Sequence, residues 1–129
     1  MIRTVPETRS TNEDMVALAA DGVPEGSWLR AEQQSGGRGR MGRNWASPVG
    51  NLYASTIVRI MPGDPPPASL GFVATVALAE VLNSLAPHIP FEIKWPNDVM
   101  AGGAKLSVIL LERSGDAVVI GIGVNLASH

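Results

Sequence analysis

Ser35-Gly36-Gly37-Arg38-Gly39-Arg40-Met41-Gly42-Arg43-Asn44-Trp45 interleaves four glycines with three arginines and closes on a tryptophan. Glycine lets a backbone turn sharply and approach a ligand closely. Arginine offers planar forks that match phosphate or carboxylate oxygens. The tryptophan adds a flat face for a ring. No acidic residue occurs from Gln33 to Gly63, whereas Arg38, Arg40, Arg43 and Arg59 all do. An acidic chain that gathers positive charge in this way is expected to meet an anion there. Gly37-Arg38-Gly39-Arg40-Met41-Gly42 also fits Gly-x-Gly-x-x-Gly, but Pro48 and a strand follow it instead of a helix, so a dinucleotide fold is not predicted.

The totals narrow the classes. At 129 residues, 45% hydrophobic and 17% charged, the chain predicts one globular domain with a core. A net charge of −2 speaks against binding nucleic acid over the whole surface. There is no cysteine for a disulfide or thiolate site, and the two histidines, His88 and His129, lie far apart. The N-terminus has no basic-then-apolar signal, and the apolar stretch Ala68 to Ala86 is interrupted by polar residues. No membrane association is expected, and a cytoplasmic location is the expectation.

Outward from the loop, Ser27 to Gln34 predicts a strand leading in, although Arg30 and Glu32 spoil a clean two-sided pattern. Gln33 and Gln34 are either exposed or placed to read a polar ligand edge. Upstream, Ile2 to Val5 predicts a strand ended by Pro6. Ser10-Thr11-Asn12-Glu13 then reads as a capping box, Met15, Leu18 and Ala19 form a helical stripe, and Gly22 stops the helix. The Ser-Thr-Asn start serves as a cap alone or as a cap that also receives ligand groups. Downstream, Leu52 to Ile60 predicts a strand, and Ala68 to Ala86 a buried main helix ended by Pro87 and Pro90. Phe91 to Trp95, a turn at Pro96-Asn97-Asp98, Val99-Met100 and a Gly102-Gly103 turn follow. Lys105 to Glu112 predicts one strand, Ser114-Gly115-Asp116 a hairpin turn, and Ala117 to Val124 a central strand. Together these elements predict an α+β domain whose sheet is antiparallel or mixed. The last strand is apolar enough to need cover on both faces.

Chemistry-bearing residues collect at turns. Lys94 and Lys105 are the only lysines, and both sit beside turns. Each is either a solvated strand end or a ligand contact. Asn97-Asp98 is a turn by itself. Gly121-Ile122-Gly123-Val124-Asn125 points to a strand approached closely by another group, for packing or for binding.

In combination these motifs resemble biotin protein ligases (biotin–[acetyl-CoA-carboxylase] ligases), of the monofunctional type without a DNA-binding domain. The shared features run in order: Ser10-Thr11-Asn12, Gln34, Gly37-Arg38-Gly39-Arg40-x-Gly42-Arg43-x-Trp45, Lys94-Trp95-Pro96-Asn97-Asp98, Lys105-Leu106 and Gly121-x-Gly123-x-Asn125. The resemblance implies a mixed, largely antiparallel sheet with helices packed on it, like a class II aminoacyl-tRNA synthetase. It makes residues 1–129 a biotin/lipoate ligase catalytic domain, with an expected truncation at the C-terminus. It implies that ATP and Mg²⁺ activate biotin to biotinyl-5′-AMP, followed by transfer to a lysine of a biotin carboxyl carrier protein. Neither nucleic acid nor membrane is an implied partner, and the resemblance leaves room for a homodimer.

By position, the resemblance assigns biotin to Ser10, Thr11, Gln34, Arg38, Lys105 and Val108. It assigns ATP and the adenylate to Arg38, Arg40, Arg43, Trp45, Lys94, Asn97 and Asn125. Lys105, Arg40 and Lys94 are its catalytic group, and Asp98 its metal contact. One position departs from the pattern. The family's Lys-x-x-Gly-Ile-Leu-x-Glu reads Lys105-Leu106-Ser107-Val108-Ile109-Leu110-Leu111-Glu112 here. Val108 stands where the family's glycine lets biotin lie against the backbone, and its branched side chain is expected to reach into the pocket. Three other readings stay open: a catalytically impaired domain that binds biotin or its adenylate, a lipoate-protein ligase, and a basic-loop RNA binder.

Overall fold

The computed structural model describes residues 2–126; the expectations that touch the chain end at His129 lie outside them. The order is β1 (Ile2–Thr8), α1 (Thr11–Ala20), β2 (Trp28–Gln34), β3 (Leu52–Arg59), α2 (Ser69–Leu85), β4 (Phe91–Lys94), β5 (Asp98–Ala101), β6 (Ala104–Lys105), β7 (Ser107–Ser114) and β8 (Ala117–Val124). Five strands form a main sheet in the order β1-β2-β3-β8-β7, and β4-β5-β6 form a small second sheet. Among the described residues only β1 and β2 pair in parallel; the other pairs are antiparallel. The expected α+β class with a mixed, largely antiparallel sheet is what the chain adopts.

Several boundaries differ from expectation for physical reasons. Pro6 lies inside β1, because β1 is an edge strand where a missing N–H breaks no ladder. In β2 the pattern is two-sided after all: Leu29 and Ala31 are buried on one face, and Trp28 and Arg30 are half-buried on the other. The strand expected from Lys105 to Glu112 is two strands. Lys105 ends β6 in the small sheet, and Leu106 carries the chain across to β7 in the main sheet. Leu106 N–H donates to the Val99 carbonyl at 2.9 Å and its carbonyl accepts from Asn125 N–H at 2.8 Å, pinning the crossing point.

The two faces of the main sheet hold separate cores. On one, Met15 and Ala19 of α1 pack on Leu29, Ile57, Ala117 and Val119. On the other, Leu70, Ala74 and Leu78 of α2 pack on Ile109, Val118 and Ile120. A third cluster, Ala79, Leu82 and Val99, joins α2 to the small sheet. Trp95 adds to that join, with its ring centroid 4.2 Å from that of Phe72. The expectation that the main helix is buried is corrected for one side of α2: Val73, Val81 and Leu85 are exposed. Among the described residues of α2, Gly71, Thr75, Ala79 and Leu82 are buried, and Leu70, Ala74 and Leu78 beside them are half-buried. An apolar groove remains between α2 and the β2–β3 side of the sheet, lined by residues such as Trp28, Leu52, Val73 and Val81.

Arg59, counted in the basic stretch, lies at the end of β3 farthest from the glycine-rich loop. It pairs with Asp116 at 3.1 Å and donates to the Val23 and Ala19 carbonyls, so its role is structural. At the other end of β3, the buried Tyr53 donates its hydroxyl to the Pro48 carbonyl at 2.6 Å. Burial raises its pKa above the ordinary 10.0, partly countered by a hydrogen bond from Asn51.

Two tests follow from the packing. Met15→Ala should cost about 2 to 5 kcal/mol in urea unfolding, as a cavity opens beneath α1. Above pH 10 the unfolded chain releases the proton of its one tyrosine while the folded chain still holds it, so stability should fall as pH rises. Tyr53→Phe should flatten that alkaline decline in pH-dependent unfolding curves followed by circular dichroism.

Candidate functional site

The site forms where α1 begins, at the end of the main sheet. Ser10 caps the helix, its hydroxyl accepting from Glu13 N–H at 3.3 Å. The Glu13 carboxylate turns outward to Arg9 at 3.1 Å and Arg38 at 3.5 Å. Behind the cap runs a buried polar chain. The Thr11 hydroxyl lies 2.8 Å from Ser55 Oγ, Ser55 donates to Asn12 Oδ1 at 2.6 Å, and Asn12 Nδ2 donates to Glu112 Oε1 at 3.0 Å. Asn12, Ser55 and Glu112 were not among the candidate site residues. The sequence offers Asn12 as part of a cap that could also receive ligand groups, and nothing local marks Ser55 or Glu112 as its partners.

Register explains the floor. Val108 and Leu110 of β7 lie opposite Gly123 and Gly121 of β8, and these lie opposite Tyr53 and Ser55 of β3. On this face β8 runs Ala117, Val119, Gly121, Gly123, so the surface is apolar beneath α1 and bare at the site. The two glycines are bare for different reasons. A Cβ on Gly121 would collide with the Asn12 side chain. A Cβ on Gly123 would come within 3.0 Å of Trp45 Nε1 and 3.1 Å of Val108 Cγ1.

The glycine-rich segment folds back over this floor. Its ends are tied by Trp45 N–H to the Gly37 carbonyl at 2.9 Å and Gly39 N–H to the Arg43 carbonyl at 2.7 Å. A single 3₁₀ turn, Arg40–Gly42, forms the tip, with Met41 at φ 61° and Gly42 at φ 72°. Gln34 anchors the base: its Oε1 accepts from Thr11 N–H at 2.8 Å and its Nε2 donates to Ser47 Oγ at 3.2 Å. The strand-end amide thus links the helix start to the loop.

Two cavities result, with Trp45 in the wall of both. One, of about 30 Å³, is lined by Ser10, Thr11, Asn12, Gln34, Arg38, Val108, Leu110 and Gly123 among others. The other, of about 430 Å³, is lined by Gly39, Arg40, Met41, Arg43, Asn44, Asp98 and Lys105. Lys105 Nζ lies 3.2 Å from Asp98 and 5.8 Å from the Trp45 ring centroid. Trp45 Nε1 is buried without a protein acceptor, an arrangement that suits a ligand oxygen.

The structure therefore gathers Ser10, Thr11, Gln34, Arg38 and Val108 around the first cavity, and Arg40, Arg43, Lys105 and Asp98 around the second. Lys94, Asn97 and Asn125 line neither. Lys94 is exposed on β4, opposite Asp98. Asn97 packs toward α2, its Oδ1 2.9 Å from where a Cβ on Gly71 would sit. Asn125 Oδ1 accepts from Asn51 at 3.5 Å at the end of β8. Among the described residues no group of three or more His, Asp, Glu or Cys side chains is placed to hold a metal. No described helix is long and apolar enough to cross a membrane.

Comparison with known proteins identifies the fold and the family. The chain is 44% identical over 126 residues to a biotin–[acetyl-CoA-carboxylase] ligase of Paracoccus denitrificans, covering 93% of this chain and 52% of that protein. It is 43% identical over 129 residues to the enzyme of the same name from Mycobacterium tuberculosis, covering 95% and 48%. It thus spans about half the length of these relatives. Its fold superposes on the biotin protein ligase of Aquifex aeolicus in complex with biotin and ATP, with a TM-score of 0.87 and 34% identity over 99% of this chain and 54% of that one. Residues 5–125 match the model of the biotin/lipoate A/B protein ligase family, and the chain belongs to that family.

Proposed function

We propose that this chain activates biotin with ATP as the catalytic part of a biotin protein ligase. The observation that carries the reading is the joining of two unlike cavities at Trp45. One offers the hydroxyl and amide groups of Ser10, Thr11, Asn12 and Gln34 with the single cation Arg38, and the other offers Arg40, Arg43 and Lys105. A substrate with a polar neutral ring at one end and a carboxylate at the other fits such a pair, with its carboxylate delivered to a nucleotide phosphate.

In this reading the biotin carboxylate attacks the α-phosphate of ATP and pyrophosphate leaves. A lysine amine of a carboxyl carrier protein then attacks the mixed anhydride and releases AMP. Bringing two anions together meets repulsion, so cations that neutralise the developing charge supply much of the catalysis, and holding the groups in line supplies the rest. Ser10, Thr11, Gln34 and Arg38 hold the biotin ring end. Lys105 contacts the reacting carboxylate and phosphate, Arg40 and Arg43 retain the adenylate, and Trp45 packs over it. Lys94, Asn97 and Asn125 remain proposed nucleotide contacts that ligand-driven closure must bring in. Mg²⁺ screens the triphosphate; one carboxylate beside substrate phosphates is a usual setting for it, and Asp98 is the carboxylate at hand.

Biotin-dependent exchange of pyrophosphate into ATP tests the enzyme reading, and Lys105→Ala should lower it by about a hundredfold or more with the far-ultraviolet spectrum unchanged. Unaltered exchange would remove Lys105 from the reaction. Arg40→Gly should let the adenylate escape during gel filtration, where the original chain carries it through; equal retention would sink the role given to Arg40.

A further inference from the structure

Val108 is buried between two glycines that belong to different elements. Its Cγ1 lies 3.1 Å from where a Cβ on Gly123 would stand, and its Cγ2 3.5 Å from where one on Gly39 would stand. Its two methyl groups therefore fill the space that a bare strand and a bare loop leave between them. Val108 itself lines the cavity of Ser10, Thr11 and Gln34, and Gly39, which its Cγ2 faces, lines the cationic cavity of Arg40 and Lys105. The smaller cavity, at about 30 Å³, holds about two or three water molecules and not a fused bicyclic ring.

We infer that Val108 partitions the site and sets its specificity: it narrows the passage along which a ligand's aliphatic chain joins the ring end to Lys105. This rests on the biotin reading above. The valine stands on β7, hydrogen-bonded along its length to β8, so backbone movement cannot readily clear the passage. Trp45, by contrast, sits on the loop, outside the ladder of the sheet. A ligand that spans both cavities must press the valine methyls against Gly123, and overpacking of this kind weakens binding by about tenfold or more. Shorter or unbranched residues at 108 relieve the contact in proportion to the methyl groups removed.

Titration calorimetry with biotin on the original chain, Val108→Ala and Val108→Gly tests this, with circular dichroism to show that each is folded. The expected order is weakest for the original chain, intermediate for alanine and at least about tenfold tighter for glycine. If glycine alone loosens the strand, the alanine variant still reports the passage. Equal affinity in all three overturns the inference and leaves the biotin reading standing. Weaker binding in the folded variants also overturns it. No binding to any folded form overturns the biotin reading, and the inference with it.

Discussion

Asn12 rests on β8 at Gly121, in space that any other residue at 121 would occupy. Its amide is then buried and must be satisfied on both sides, since an unpaired buried amide costs about 1 to 3 kcal/mol. Ser55 supplies the donor and Glu112 the acceptor, from β3 and β7, on either side of β8. One side chain thereby locks the start of α1 to three strands at once. Ser10 and Thr11 are fixed by that seat, Gln34 is fixed by Thr11 N–H, and Gln34 in turn holds Ser47 at the far end of the loop. Had α1 been seated by apolar contacts alone, its cap would be free to slide; directional hydrogen bonds remove that freedom.

The second constraint is the corner at Leu106. It lets two residues three apart in sequence, Lys105 and Val108, serve different sheets and different cavities. The small sheet would be marginal alone, since short strands with little apolar cover do not hold a hairpin in water. It is held by α2, through Val99 with Ala79 and Leu82, and through Trp95 on Phe72. The position of Lys105 and Asp98 therefore depends on a helix that contributes no residue to either cavity. Among the arginines the assignment also divides by placement: Arg38, Arg40 and Arg43 ride the loop, while Arg59 ties β3 to the turn after α1.

Much of this was legible in the residues. The strand and helix identities, the Ser10 cap, the Gly22 stop, the glycine turns at 102, 103 and 115, and the α+β class all follow from local chemistry: propensity, periodicity and positive φ. The loop from Ser35 to Trp45 announced its composition in advance, and its ordered motifs placed the chain in its family. Val108 was visible as a branched residue in a glycine's place.

What local chemistry could not decide was anything set by pairing. The break at Leu106, Pro6 within an edge strand, and the open side of α2 depend on which strand lies next to which. So do the partners of Asn12, because Ser55 and Glu112 lie 43 and 100 residues away from it. The sequence by itself determined the elements, the family and the kinds of side chain at the site. Only the tertiary structure decided that Gly121 seats a helix while Gly123 faces Trp45 and Val108. A glycine specifies the absence of a side chain, and the register of the sheet specifies what fills the space.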